Sequence, residues 1–444
     1  MRTFPIIALA LMLWAGVATS TGCHDEEDNG GNSGTPDTSS SEDTGSVTED
    51  STTDTPSTFD DIVTDDTSTP VDDVAVSTDV EAPDTTTDTG EPVNDVSSGL
   101  ESFRVATFNA GLAVNFVSYA NERVPAIISA INDITDVDVI CLQEVWLPDH
   151  ITALVDGTES VYPHSYHFVT KEEGGGEPSC TVEEALPLKE CVETNCAAAV
   201  NLSECAITNC GAQFAAVSPT CQGCLAANLT KTIPEIFAAC AEGSSSLAYE
   251  GHNGLLLLSR LPLSATEHTA LPSTLVQRSA LYAKVDGTLD VVCTHLAANL
   301  SEPPYNGPFG SYEGEQKKQI EDLNAWITTK ANKNAVLLGD LNTGPNVGET
   351  IVEELPANWQ FILGLGWKDP YLEQDEPACT WCDTNNLVSS GNHILDHALV
   401  QDLPAKDPQR ILDQTVTIGV EGSGDVDTKL SDHYGIAISV EVEK

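Results

Sequence analysis

Positive charge is what this 444-residue sequence has least of: 18 Lys and Arg stand against 69 Asp and Glu, for a formal net charge of −51. That shortage leaves no basic stripe for a nucleic-acid backbone and argues against tight polyanion binding. It does not exclude a nuclease whose metal ions neutralise the substrate locally. Long apolar runs are missing too. The strongest, "IIALALMLWAGVA", is too short and wrongly flanked to span a membrane. With Arg2 before it and small residues after it, residues 1–22 read as a signal peptide. Residues 24–100 lack Lys and Arg altogether and hold 22 acidic residues among Ser, Thr, Pro and Gly. Such a segment cannot bury enough apolar surface to offset chain entropy, so a disordered, self-repelling tether is expected over 23–100. The remaining folded part, 101–444, carries 47 acidic and 17 basic residues and stays near −30.

Histidine is absent from the main cysteine cluster: Cys180, Cys191, Cys196, Cys205, Cys210, Cys221, Cys224 and Cys240. In an exported chain that even set reads as disulfides, and the zinc alternative is weakened by the missing His. "CVETNC" and "CAITNC" repeat at a 14-residue offset, about four helical turns. The simplest reading is a small Ala-rich helical hairpin stapled by crossing disulfides, inserted over 176–248 in the domain 101–444. Cys141 and Cys293 read as small hydrophobes in buried strands. Cys379 and Cys382 either bridge each other or join the insert's set. The "STGC" ending of the signal segment resembles a bacterial lipoprotein cleavage site, with Ser20 where an aliphatic residue is more usual. Lipidation of Cys23 is therefore expected, which would hold the protein on an outer membrane or cell surface. The alternative is ordinary cleavage and free secretion.

Strands are expected over 102–111, 136–146, 251–263, 279–287, 289–297, within 334–345 around Val336, Leu337 and Leu338, over 392–401 and over 429–443. Helical spacing marks 121–135, through Val124, Ile127, Ile128, Ile131 and Ile134, and 313–331, through Ile320, Leu323 and Ile327. Strands outnumber helices, and hairpin-like neighbours mix with helical crossovers. An α+β fold follows, a sandwich of two mixed β-sheets with helices outside.

Six of these apolar strands end in, or begin beside, a strongly polar residue: Asn109, Glu144, His295, Asp340 with Asn342, Asp396, and Asp432 with His433. One such residue is ordinarily a cap or turn former. Six together are hard to attribute to turn chemistry. Strand tips on one rim lie about 5 Å from their neighbours, so the carboxylates would crowd unless a cation or shared protons lay among them. Oxygen ligands suit a hard ion such as Mg²⁺, and the two His suit proton transfer and contact with an anion.

The ordered motifs "ATFNA", "LQEVW", "NGLLLLSRLPL", "CTHLA", "GDLNTGP", "ILDHALV" and "LSDHYGI" resemble the endonuclease/exonuclease/phosphatase, or DNase-like, superfamily over about 103–440. The resemblance implies a four-layer sandwich and cleavage of phosphate esters with Mg²⁺, Mn²⁺ or another divalent ion. It implies that Glu144 is the principal metal carboxylate, with Asn109 and Asp432 on the metal side. Asp340 would orient or deprotonate water, Asn342 hold the phosphate, and His295 donate to a phosphate oxygen. His433 would be the second catalytic His, with Asp396 as its partner. Which group is the general base stays open.

For the substrate, "HNGLLLLSRLPL" and "CTWCDTNNLV" resemble segments of secreted bacterial sphingomyelinases, with Cys382 interrupting the second. Asn253, Trp381 and Asn386 are accordingly candidate substrate-binding residues. Tyr305, Phe309 and Tyr312 on the 301–312 loop either dip into a membrane interface or pack the loop onto its own domain. The reading is an exported, Mg-dependent phosphoric diester hydrolase acting as a monomer on a phospholipid. The alternatives are a secreted nuclease acting on nucleic acid and a surface-binding module that has lost catalysis.

Overall fold

In a strand, alternate residues face opposite sides, and the buried strands here are apolar on both. Such strands need a layer on each face, and the computed structural model supplies them. It describes residues 99–169, 178–197, 199, 202–228, 230–242, 252–301, 305, 307–331 and 335–443. The signal segment, Cys23 and nearly all of the tether lie outside the described residues, as do both ends of the insert.

One sheet joins β1 (Leu100–Asn109), β2 (Val139–Gln143), β3 (His164–Val169), β4 (His252–Ser259), β10 (Ala405–Ile411) and β13 (Gly435–Glu443) in the order β10-β13-β1-β2-β4-β3. The other runs β5-β6-β7-β8-β9, from β5 (Leu263–Ala270), β6 (Ser279–Val285), β7 (Leu289–His295), β8 (Ala335–Asp340) and β9 (Asp396–Gln401). Phe103, Val105, Val139, Leu257, Val291, Leu338, Ala398 and Ile438 fill the space between the sheets. On the outside, α1 (Ala120–Asp133) and α2 (Pro148–Thr158) cover the first sheet through Val124, Ile127, Ile131, Ile151 and Leu154. The second sheet is covered by α7 (Tyr312–Lys330) and α8 (Pro356–Gly364), through Ile320, Leu323, Ile327, Trp359 and Ile362. The architecture is the expected sandwich of two mixed sheets flanked by helices.

Three expectations need correction. The run 251–263 is not one strand: β4 ends at Ser259, whose hydroxyl donates to Leu261 O, and past Pro262, which cannot donate to a ladder, Leu263 opens β5, which was not foreseen. The run 429–443 is broken as well: β11 (Thr415–Val420) and β12 (Gly424–Lys429) form a separate ribbon, and Ser431-Asp432-His433 bridges to β13. Cys141 and Cys293 are not free core thiols. They occupy inner-face positions of β2 and β7, where alternation sets them opposite each other, and they form a disulfide with Cα atoms 5.4 Å apart. This bond staples the two sheets across 152 residues of chain. In the chain-entropy account such a link stabilises by about 5 kcal/mol. Replacing both cysteines by alanine is expected to lower the calorimetric Tm by about 10 °C. An unchanged Tm would refute the bond.

All eight insert cysteines are paired with one another, which removes the zinc alternative. Cys191–Cys210 and Cys196–Cys205 join α3 (Val182–Asn195) to α4 (Leu202–Ala216), so the repeated motifs do face each other in a hairpin. Two further helices, α5 (Pro219–Ala227) and α6 (Ile233–Ala241), were not foreseen and are tied in by Cys180–Cys221 and Cys224–Cys240. Cys379 bridges Cys382. Six disulfides among the described residues suit an oxidising, extracytoplasmic setting. Between β3 and β4 the last ladder pair is Val169 with His252. The insert therefore leaves and rejoins the sheet at the end where β2 delivers Glu144.

Candidate active site

Strand alternation assembles the site. Asn109, His295, Asp340 and Asp396 continue the inner faces of β1, β7, β8 and β9, and in the ladders His295 pairs with Asp340 and Asp340 with Asp396. Because β1, β2, β7 and β8 all run toward this rim and β9 starts from it, their polar tips meet there. Alternation would send Glu144 to the face opposite Gln143. Instead Glu144 adopts left-handed backbone, φ 58°, and its carboxylate accepts from Asn109 Nδ2 at 3.2 Å. Asn342 is left-handed as well, at φ 50°. Such non-glycine backbone costs about 1–3 kcal/mol and persists where surrounding contacts over-determine it.

Asp340 is the hub. Its Oδ2 accepts from Asn109 Nδ2 at 2.9 Å and lies 3.4 Å from His295 Nε2 and 3.8 Å from His433 Nε2. Its Oδ1 accepts from the Asn342 backbone N–H at 2.9 Å, and Asn342 Nδ2 sits 3.0 Å from His295 Nε2. His433 Nδ1 bonds Asp396 Oδ2 at 2.8 Å. The structure thus brings together Asn109, Glu144, His295, Asp340, Asn342, Asp396 and His433. Asp432, where Ser431 Oγ donates to Oδ1, lies close enough to raise Glu144 electrostatically. Gly111 lies against it: a Cβ there would meet Asp432 Oδ1 at 2.3 Å.

The two histidines end in opposite states. Burial drives His295 down to about 4, helped by the Arg278 charge, so it is neutral. Burial also opposes charge on His433, but Asp396 and Asp340 outweigh it and hold that imidazole well above its usual value. Burial would raise Asp340, yet His433 first, then His295 and the Asn109 amide, keep it below the usual carboxylate range. With His295 neutral, its share is that of a hydrogen-bonding group. Glu144 goes the other way: burial and then Asp432 push its carboxyl up to about 7.

That last shift bears on a metal. Glu144 and Asp432 are neighbouring buried carboxylates whose mutual repulsion a hard divalent ion would relieve. Glu144 and Asp432 fit such an ion, whereas Asn109, expected on the metal side, turns its Nδ2 to Glu144 and Asp340 and its Oδ1 to Gly111 N–H, and so positions the carboxylates. Atoms of Asp340, Asp396 and His433 also lie within 4.8 Å of one another, but Asp396 and His433 already neutralise each other by a direct bond. His295 Nδ1, His433 Nε2 and Asp396 Oδ1 are buried without hydrogen-bond partners. Such atoms are costly unless a ligand answers them.

Several positioning residues escaped the sequence reading. Arg123, on the otherwise apolar face of α1, donates to the carbonyls of Ala110, Gly111 and Leu430, strapping the end of β1 to the Asp432–His433 segment. Gln316 of α7 donates to Ala297 O, Leu341 O and Asn342 O. Thr380 Oγ accepts from the backbone N–H of Leu395 and Asp396, and Asn385 Nδ2 donates to Ser431 O. Arg278, just before β6, is buried with Nη1 unpaired, and Glu144 and Asp340 act on it electrostatically. Arg278 and Arg123 gave a signal, each being a lone cation in an apolar stretch.

On the outer face of β9, His397 bonds Asp369 Oδ2 at 2.7 Å and Thr343 O at 2.8 Å, which buttresses the turn after Asp340. Burial opposes charge on His397, but Asp369 outweighs it and raises the imidazole on folding. The pair's contribution is full below the unfolded histidine's 6.5 and lost as pH rises through the higher folded value. Asp369→Asn is expected to cost about 3–5 kcal/mol in denaturant unfolding near pH 6. A loss under 1 kcal/mol would discount the pair.

Of the three expected substrate residues, Trp381 alone reaches the cluster: its ring meets His433 edge-on, centroids 5.0 Å apart. Asn253 is spent on Phe168 O and Leu255 N, and the exposed Asn386 bonds Asp427 O and Lys429 N. Neither amide turns into the cluster, because each is consumed by local backbone. Tyr305 donates to Glu315 and packs edge-on against buried Tyr312, so these two aromatics pack the loop onto its own domain.

A family model described as the Endonuclease/Exonuclease/phosphatase family matches residues 106–433. Sphingomyelinase C from Streptomyces griseocarneus is a solved structure 15% identical, with TM-score 0.45, covering 76% of this chain and 99% of its own. A Beutenbergia cavernae endonuclease/exonuclease/phosphatase is 17% identical, with TM-score 0.43, covering 77% and 72%. Beta toxin from Staphylococcus aureus, solved with bound magnesium ions, is 11% identical, with TM-score 0.45, covering 76% and 99%. A search of curated proteins returned no match.

Proposed function

Because the chain belongs to the endonuclease/exonuclease/phosphatase family, we propose that it is an exported phosphodiesterase whose substrate is a sphingomyelin-like phospholipid. The family's chemistry is metal-dependent phosphoester hydrolysis. The observation that carries the reading is the Asp340 hub, within 3.4 Å of His295 and 3.8 Å of His433, with Glu144 and Asp396 beside it. Magnesium, held by Glu144 and Asp432, is the proposed ion, with Asn109 donating to Glu144 beside it. When bound, such an ion neutralises phosphate oxygens and acidifies water.

The chain's own groups supply the rest. Asp396 fixes His433 through Nδ1, so Nε2 is presented to the reacting phosphate with a proton to donate. Asp340, held ionised, is placed to orient or deprotonate water. Neutral His295 and the Asn342 amide, beside Asp340, serve as polar contacts for phosphate oxygens. The folded part's charge near −30 favours a zwitterionic headgroup over long DNA. Lipidation of Cys23 and action as a monomer belong to the same proposal.

The test incubates purified protein and Mg²⁺ with sphingomyelin vesicles, plasmid DNA and a chromogenic phosphodiester. Release of phosphocholine is the expected result. DNA cleavage without it would replace the lipid by nucleic acid. No turnover on any of the three, across several divalent ions, would leave a binding module.

A further inference from the structure

The disulfide-stapled insert does not stand clear of the catalytic rim. Half-buried Ile207 and Phe214 of α4 and buried Leu225 of α5 form one wall of a chamber of about 210 Å³. Phe116, Val276 and Leu300 of the main domain form the facing wall. Glu144, Arg278, Trp381 and Asp432 line the same chamber, so its interior is continuous with the site. The walls are apolar, and two buried polar atoms lining residues of it have no hydrogen-bond partner: Ser203 Oγ of the insert and Arg278 Nη1 at the carboxylate end. The placement follows from topology, since the insert occupies the β3–β4 connection at the end of the sheet where Glu144 emerges.

We propose that the insert is a substrate-recognition roof: the chamber receives an alkyl chain of a phosphodiester whose phosphate is held beside Arg278. The proposal rests on the phosphodiesterase reading and adds the feature that selects the substrate. An apolar chamber ending in an unpaired guanidinium suits a molecule that is apolar at one end and anionic at the other. A small diester would leave the apolar walls unfilled, and a nucleic acid would bring sugars and charge against them. Four disulfides keep the roof rigid, so little ordering is needed when the chain enters.

Two measurements test this. Methyl and dodecyl 4-nitrophenyl phosphate are compared as substrates below the micellar range, with Mg²⁺. The dodecyl ester is expected to have at least about a tenfold higher kcat/KM, since burial of about two of its extra methylenes already accounts for that factor. Ala206→Phe, which narrows the chamber, is expected to reduce that ratio several-fold, as is Phe214→Glu. Val182→Ser, on the exposed outer side of α3 (74% exposed), is expected to leave it unchanged. Binding of dodecylphosphocholine is followed separately by calorimetry, and Ala206→Phe is expected to weaken it. Equal kcat/KM for the two esters would overturn the roof and leave the phosphodiesterase reading intact. Saturable dodecylphosphocholine binding, weakened by Ala206→Phe, with no turnover of either ester would do the reverse.

Discussion

His433→Ala is expected to lower turnover of a chromogenic phosphodiester by about 10²–10⁴-fold, and Asp340→Ala to lower it as much. The expectation comes from how the two are held. His433 Nε2 is buried, unpaired and 3.8 Å from Asp340, while its other nitrogen is committed to Asp396. A side chain packed this way for stability alone would have both nitrogens bonded, as His397 does. Truncation also strands Asp396 without its cation, so some stability is lost with the activity. His433→Gln keeps bulk and an N–H donor for Asp396 but no cation, so it should recover part of the stability without recovering turnover. Because Asp396 acts through His433, Asp396→Asn added to His433→Ala should cost little more than His433→Ala alone. Near-wild-type turnover in either alanine variant, with the protein folded by circular dichroism, would remove the assignment.

The contrast between His433 and His397 also marks what the sequence can carry. Both lie in a Asp-His pair at a strand end, "LDH" and "SDH", and the motif alone does not say which imidazole faces the site. In "LDH" Asp396 faces in and His397 does not, whereas in "SDH" both Asp432 and His433 reach the site. Alternation explains the difference: Asp396 is the first inner residue of β9, so His397 must point outward, whereas His433 precedes β13 on a turn and is free of that parity. The rim was legible because apolar runs of period two fix which tips converge. Glu144 was legible as a strand tip, but its inward turn, made by left-handed backbone that breaks parity, was not.

What the sequence could not carry depends on long-range pairing. The Cys141–Cys293 bond needs knowledge that β2 and β7 face each other across the core, and each cysteine alone has the profile of a small core residue. In the ribbon, β11 does alternate, with Val416, Ile418 and Val420 at every second position, but its partner β12 holds one apolar residue, Val426, so the pairing is not announced. Asn253 and Asn386 resembled substrate contacts by motif, yet local backbone claims both amides. Motif similarity fixes the neighbourhood of a side chain better than its direction.

The second large effect concerns the ion, and it has a readout that needs no substrate. Dialysis against a chelator is expected to abolish turnover, and Mg²⁺ or Mn²⁺ to restore it. Without an ion, ionised Glu144 is a liability: its folded-state value of about 7 stands above the usual 4.5, so above that lower pH the charged carboxylate costs stability. Glu144→Gln removes the like charge beside Asp432, and the chelated variant should therefore melt no lower than the chelated wild type at pH 8. Adding Mg²⁺ should invert the order. At an ion concentration about a hundredfold above Kd, a site that binds only the folded state adds about 2.7 kcal/mol, which is several degrees in Tm for the wild type and little for the variant. The sign reversal is the diagnostic, because a carboxylate that merely packs would be worth the same with and without the ion. Equal Mg²⁺ shifts in the two proteins would move the metal away from Glu144, toward the Asp340–Asp396–His433 group.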